Sequence, residues 1–243
     1  MDRTMKVSVI GQSGIAGSRH LQTAMEWGAE IVEPDDADVV VVAIPDNLHA
    51  RYVVRHLGHG QSVFCEKPLA TKKDDLGQIV ALSRKAPLGC HLPLREKAGE
   101  FKIEGQLVEM LYDYGRRDKF IGSWRNDKAY NLVMGAGIHL MDLLMRKLGI
   151  DYRDCVTVHR QQINPAAKCA DRFMGRFRLN GTRCALKVDF TKNGPHRHVV
   201  SWGTGKWVNT EEVDKQVQLR RFLDKPITDE LALASHRACL EFQ

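Results

Sequence analysis

The sequence predicts an α/β protein in two parts. A truncated Rossmann-type domain with a parallel sheet is expected over residues 1–90, and an α+β domain with an open, mainly antiparallel sheet over 91–243. Three observations carry this. Strand-like and helix-like segments alternate up to about residue 90. Val39 to Ile44 is continuously apolar, the pattern of a parallel strand covered on both faces. After Pro93, alternating segments follow one another with the turn signals Asn180-Gly181 and Asn193-Gly194 between them.

In order, MKVSVIG (residues 5–11) is a β-branched run ending at glycine, and a helix is expected over Ile15 to Trp27. Val39 to Ile44 is the next secure strand. The turn PDNLHA opens a helix to about Leu57, QSVFCE is a strand, and Lys72 to Ala86 a helix. In the second part GQLVEMLYDYG is strand-like and residues 138–148 helical. CVTVHRQQI, RFMGRFRL, TRCALKVDFT and HRHVVSWG are half-buried strands, and residues 211–223 and 229–240 are helices, the first ended by Asp224 to Pro226.

The composition, 43% hydrophobic and 27% charged, is that of a soluble globular protein. No apolar run is long enough to cross a bilayer and the N-terminus has no signal-peptide pattern, so a cytoplasmic protein is expected. The six cysteines are widely spaced and form no CxxC pair, which argues for reduced thiols and no metal site. His196 and His198 share a strand face but lack a third ligand. The net charge of +6 is scattered, and the cluster Arg116, Arg117, Lys119 encloses Asp118. A basic surface of this kind suits anionic small molecules; without a basic stripe and interleaved aromatics, nucleic acid is not expected as a partner.

Gly11-Gln-Ser-Gly14-Ile-Ala-Gly17 sits between strand and helix, where glycines allow a tight turn and helix amides attract a pyrophosphate. Glu33 has the spacing of the acid that holds ribose hydroxyls, and a carboxylate there favours NAD over NADP. Only Pro34, Asp35, Asp36 and Ala37 separate Glu33 from Asp38, too few for a parallel crossover. AEIVE and DVVVVAIP are therefore not expected to be successive parallel strands, and the wall of the adenosine pocket is expected to be trimmed away.

GQSGIAGSRH, AIPDNLHA, VFCEKPLA and MGAGIHLMDLLMRKLG, in this order and spacing, resemble the Gfo/Idh/MocA family (glucose-fructose oxidoreductase, inositol dehydrogenase); GPHRHVVSWGTG also looks like the family's late strand pair. The resemblance implies a dinucleotide-binding domain followed by an open-sheet domain, and hydride transfer to or from a nicotinamide. It gives Lys67 of the Glu-Lys-Pro motif the reacting substrate oxygen, and His139 the proton. Physically, an ammonium at the end of a sheet strand can stabilise charge on an alkoxide. On the helix, Ile138, Met141, Met145 and Leu148 form an apolar stripe beside the polar pair His139 and Asp142, an acid/base with its orienter. The family's Asp-x-Gly-x-His departs here to Gly135, leaving Asp142 or Tyr130 to compensate.

The candidate cofactor-binding set is Gly11, Ser13, Gly14, Ile15, Gly17, Glu33, Pro45, His49 and Glu66, with NAD or NADP as cofactor. Arg95, Trp124, Arg125 and Tyr130 could line a sugar pocket, since carbohydrates stack on rings and bond to guanidinium groups. The expected function is an NAD(P)-dependent oxidoreductase acting on a hydroxyl or keto group of a sugar, cyclitol or nucleotide sugar, as a homodimer or homotetramer. The alternatives are a non-catalytic ligand-binding or regulatory protein on the same scaffold, or an NAD-recycling glycosidase or epimerase.

Overall fold

The computed structural model describes residues 4–100, 107–113, 115–128, 130–194, 197–202 and 214–242. Two compact units emerge. The first combines the described part of residues 1–93 with residues 214–236; the second combines that of 94–213 with residues 237–242. The chain thus leaves the first unit close to the expected boundary at 90, but a C-terminal segment placed in the second domain by the sequence returns to the first.

The first unit holds β1 (Lys6–Ile10), α1 (Ile15–Trp27), β2 (Glu30–Ile31), β3 (Val39–Val42), α2 (His49–Gly58), β4 (Ser62–Glu66), α3 (Lys73–Leu82) and β5 (Leu88–His91). Its five strands are all parallel, in the order β2-β1-β3-β4-β5. The four valines of β3 are at most 1% exposed, as a central strand with helices on both sides requires. Burying each contributes about 1.5–3 kcal/mol. On one face Val7, Val9, Val39, Val41 and Phe64 pack with Ala24 of α1 and with Leu219, Phe222 and Leu223. Those last three belong to α6 (Val217–Asp224), which brings the C-terminal segment back under the sheet.

AEIVE does contribute a parallel strand, contrary to expectation. β2 is only two residues long and pairs with the first two of β1, Lys6 with Glu30 and Val7 with Ile31. Because it stops level with Val7, the chain needs no long return: a 3₁₀ turn, Pro34–Asp36, carries it past β1, and Asp38 N–H then bonds to the Lys6 carbonyl at 2.9 Å. Among the described residues the sheet ends at β2.

The second unit contains β6 (Leu107–Asp113), α4 (Arg117–Ile121), α5 (Ile138–Leu148), β7 (Tyr152–Gln161), β8 (Arg172–Leu179), β9 (Thr182–Asp189) and β10 (Arg197–Trp202). Its sheet runs β10-β6-β9-β8-β7, antiparallel except for the β6–β9 pair. Along β8, Phe173, Gly175, Phe177 and Leu179 are buried while Arg172, Arg176 and Arg178 are exposed, so one face packs and the other stays open. Helix α5 is buried nearly all round from Ile138 to Met145, Asp142 included, and not only along the expected stripe. The last helix, α7 (Glu230–Leu240), runs from the first unit into the second. Residues 195–196, 203–205 and 211–213 of the expected C-terminal elements, His196 among them, lie outside the described residues.

Candidate active site

The glycine turn follows β1. Gly11 has φ +90°, and a Cβ on it would lie 2.3 Å from the Ala43 carbonyl oxygen; on Gly17 a Cβ would lie 2.0 Å from the Gly11 carbonyl oxygen. Glycine is demanded at both positions by the chain's own backbone. Gly14 caps α1 without a side-chain hydrogen bond, and Ser13, Gly14 and Ile15 are exposed, Ile15 at 73%. The first turn of α1 thus presents backbone amides with no capping side chain over them, as an anionic group requires. Glu33 is exposed and directly precedes the Pro34–Asp36 turn.

The next strand ends shape the same edge of the sheet. Pro45 is exposed, but the following Asp46 is only 7% exposed, and its Oδ2 is buried without a hydrogen-bond partner among the described residues. An orphaned carboxylate oxygen is costly unless a ligand donor meets it. Together with the bare helix terminus, Asp46 fits a dinucleotide, whose ribose hydroxyls and carboxamide are donors. His49 is not the helix-start surface residue that base rates suggest. It is fully buried, with ring nitrogens 2.6 Å from the Pro68 carbonyl oxygen and 2.7 Å from that of Ile44.

Glu66 ends β4 and Lys67 follows it. Four buried histidines hold this stretch: besides His49 on Pro68, His236 accepts the Leu69 N–H on Nε2 at 2.8 Å and donates from Nδ1 to Ala232 at 2.6 Å. His20 of α1 and His91 at the end of β5 both donate to Glu66 Oε1, at 3.0 and 2.9 Å. His91 also donates to the Lys215 carbonyl at 2.6 Å. The side-chain amide of Gln216 lies 3.0 Å from His20 Nδ1 and 3.1 Å from Thr23 Oγ1, which donates to the Arg19 carbonyl.

Burial alone would push Glu66 up, but the charge of His91 and the hydrogen bonds from both histidines outweigh it and hold the carboxyl well below 4.5. For His91 burial acts downward; the charge and hydrogen bond of Glu66 and the Lys215 carbonyl overcome it and raise the imidazole above 6.5 against the opposing charge of Lys67. Cys65 stays a thiol, raised by burial and by the charges of Glu66 and Asp46. His20, Glu66 and His91 have the composition of a metal site. Their ring nitrogens are nevertheless all engaged in hydrogen bonds, and Lys67 adds positive charge beside them.

In the second unit, a π-helical turn over Val133–Gly137 leads into α5, with His139 in its first turn. The His139 ring stacks on Tyr112 at 6.5 Å between centroids. Asp142, expected to orient His139, is fully buried and takes a bidentate ion pair from Arg95, Nε to Oδ2 at 2.9 Å and Nη2 to Oδ1 at 2.5 Å. Arg95, expected in a sugar pocket, is thus paired with a buried carboxylate, and Asp142 carries the counter-charge of Arg95. The position of the family's acid is filled from elsewhere, since a Cβ on Gly135 would lie 1.9 Å from the Tyr130 hydroxyl oxygen.

Tyr130 also lines a cavity of about 290 Å³ within this unit, with Lys128, Asn131 and Arg160. Trp124 and Arg125 are not among its lining residues. The Arg125 guanidinium sits 4.5 Å above the Trp124 ring, which is 46% exposed and stands edge-on to Tyr130.

Sequence reasoning missed His20, Asp46, His91, Gln216 and His236. His20 stands inside the quoted glycine segment, and His91 ends β5, a strand not among those expected from the sequence. Asp46 stands inside the quoted AIPDNLHA, whereas Gln216 and His236 gave no local signal.

Residues 23–92 match the model of the GFO_IDH_MocA family, described as an oxidoreductase family with an NAD-binding Rossmann fold. An uncharacterized oxidoreductase of Streptococcus pneumoniae is 45% identical over 51 residues, 21% of this chain and 14% of that protein. An inositol 2-dehydrogenase of Burkholderia cenocepacia is 27% identical over 150 residues, 58% of this chain and 44% of that one. The chain therefore spans less than half of these two relatives. Among solved structures, the WlbA (WbpB) dehydrogenase of Thermus thermophilus, in complex with NAD and alpha-ketoglutarate, matches with a TM-score of 0.75 at 18% identity, covering 98% of this chain and 94% of that one. At that identity the likeness is one of fold.

Proposed function

We propose that this chain, which belongs to the Gfo/Idh/MocA family, is an NAD(P)-dependent oxidoreductase acting on a hydroxyl or keto group of a sugar, cyclitol or nucleotide sugar. The observation that carries this reading is Lys67, fixed at the C-terminal edge of β4, the same edge that carries the uncapped glycine turn and the orphaned Asp46 oxygen. Ligands of open parallel sheets bind at that edge. The amides at the start of α1 would hold the pyrophosphate, and Asp46 and Glu66 would accept from hydroxyl or amide donors of the nucleotide. The nicotinamide supplies hydride exchange when bound. Lys67 stabilises charge on the reacting oxygen, His139 carries the proton, and Tyr130, standing where the family has an acid, supports it. Glu33 at the end of β2 favours NAD by repelling a 2′-phosphate.

A cytoplasmic setting belongs to this reading, supported by five buried cysteines among the described residues that are free thiols. So does self-association through the open face of the second sheet. Among the described residues no helix is long and apolar enough to cross a membrane.

Titration of the purified protein with NAD, NADH, NADP and NADPH, followed by nicotinamide fluorescence, is the direct test. Saturable binding of at least one is expected, and no binding of any at millimolar concentrations would sink the reading. A second reading, chemistry with recycled bound NAD or ligand binding without turnover, is favoured by Gly135 in place of the acid. Turnover of substrate with no net change in nicotinamide absorbance would select the former.

A further inference from the structure

Within the clamp around Lys67, the hydrogen-bond partners of His91 bear directly on its charge. His91 Nδ1 lies 2.9 Å from Glu66 Oε1 and Nε2 lies 2.6 Å from the Lys215 carbonyl oxygen. A carboxylate and a carbonyl can only accept, so both ring nitrogens donate and His91 is an imidazolium. His20 and His91 converge on the same oxygen of Glu66, and Oε2 makes no hydrogen bond among the described residues while the side chain keeps 16% exposure. One oxygen is held by both histidines; the other is left for a further donor.

We propose that His91 is a positioning residue of the candidate active site: as a cation between Glu66 and the Lys215 carbonyl, it keeps Glu66 ionised with Oε2 available to a donor on the bound nucleotide. This rests on the reading of the β4 edge as a nicotinamide nucleotide site. The charged and titratable groups facing His91 are Glu66 and Lys67 from the end of β4 and His20 from α1, whose ring stands edge-on to His91 at 5.1 Å. From the segment before α6 comes only a carbonyl among the described residues. Without the His91 charge, Glu66 retains the cost of burial and only the His20 ring as a partner, so it takes up a proton closer to neutrality. It then offers Lys67 and the ligand a neutral acid in place of a carboxylate.

Two measurements test this. Long-range proton–nitrogen NMR of the histidine rings, on labelled protein without cofactor at mildly alkaline pH, should show both nitrogens of His91 protonated, the signal being assigned by its loss in His91→Gln. A neutral tautomer overturns the proposal, as does stoichiometric metal in elemental analysis of the same sample. This readout needs no cofactor, so it answers even if no nucleotide binds and the oxidoreductase reading fails.

The second measurement is the pH dependence of NADH affinity in His91→Gln, with His91→Asn as the substitute should that variant not fold. An acid limb is expected in which affinity falls about tenfold per pH unit below the new Glu66 midpoint, while the wild-type protein stays flat over the same range. A uniform loss without a new limb marks a merely structural residue and overturns the proposal. Glu66→Gln/His91→Gln should match Glu66→Gln alone.

Discussion

An ammonium at a strand end assists a reacting oxygen only if the backbone carrying it is held in place, and around Lys67 that is done by other residues. Glu66 is tied to His20 and His91, the Pro68 carbonyl to His49, and the Leu69 amide to His236. Lys67→Ala should therefore leave the fold and nucleotide binding intact while single-turnover hydride transfer falls roughly 10²–10⁴-fold. An undiminished rate would remove Lys67 from the chemistry. Gly135 presents a steric question. Because a Cβ there would meet the Tyr130 hydroxyl at 1.9 Å, Gly135→Ala should cost about 1–3 kcal/mol in urea denaturation. Combining it with Tyr130→Ala should recover part of the loss, a coupling measurable by a double-mutant cycle. The tight turn at Gly11 and Gly17 was legible in the sequence because a strand, a turn and a helix announce it locally, whereas the role expected of Lys67 came from the family resemblance. His91 and His236 were not, because their partners lie 124 and 167 positions away.

Among the elements, β2 shows what spacing arguments miss. A crossover of a dozen residues is needed only when the second strand runs the full length of the first. With two residues paired at the start of β1, a 3₁₀ turn suffices. The central strands and α1 were legible from apolar continuity and a glycine start, and α5 from its spacing, whereas the return of residues 214–236 to the first unit was not. Its helices carry apolar faces that would suit either unit, and only tertiary packing of Leu219, Phe222 and Leu223 against the first sheet decides. Among the described histidines, His49 alone links the β3 and β4 ends. His49→Ala leaves the part-buried Ile44 and buried Pro68 carbonyls without that donor and should lower stability by roughly 1–3 kcal/mol, read from the urea midpoint. If hydride transfer falls further than stability explains, the link also positions Lys67.

At the scale of the whole molecule, charge sets two behaviours. The chain carries a net +6, and the open face of the second sheet exposes Arg172, Arg176, Arg178 and Arg183. Self-association across that face opposes like charges, so sedimentation should show the oligomer strengthening as salt rises over the range that shortens the Debye length from about 10 Å to 3 Å. An oligomer weakened by salt would place the interface elsewhere. The second behaviour follows from the Glu66–His91 pair, which joins β4, β5 and the returning C-terminal segment. His91 is raised in the folded protein, so its contribution is complete below its ordinary value of 6.5 and is lost as pH rises through the higher folded value. Glu66 is lowered, so its contribution is complete above its ordinary 4.5 and is lost as pH falls through the lower folded value. The pair therefore stabilises the first unit most between pH 4.5 and 6.5. Urea unfolding of wild type and His91→Gln across pH should give a stability difference that is largest in this window and shrinks on the alkaline side. A difference that stays constant above pH 6.5 would mean that the imidazole loses no favourable charge interaction there, and that the link holds the segment by packing and neutral hydrogen bonds alone.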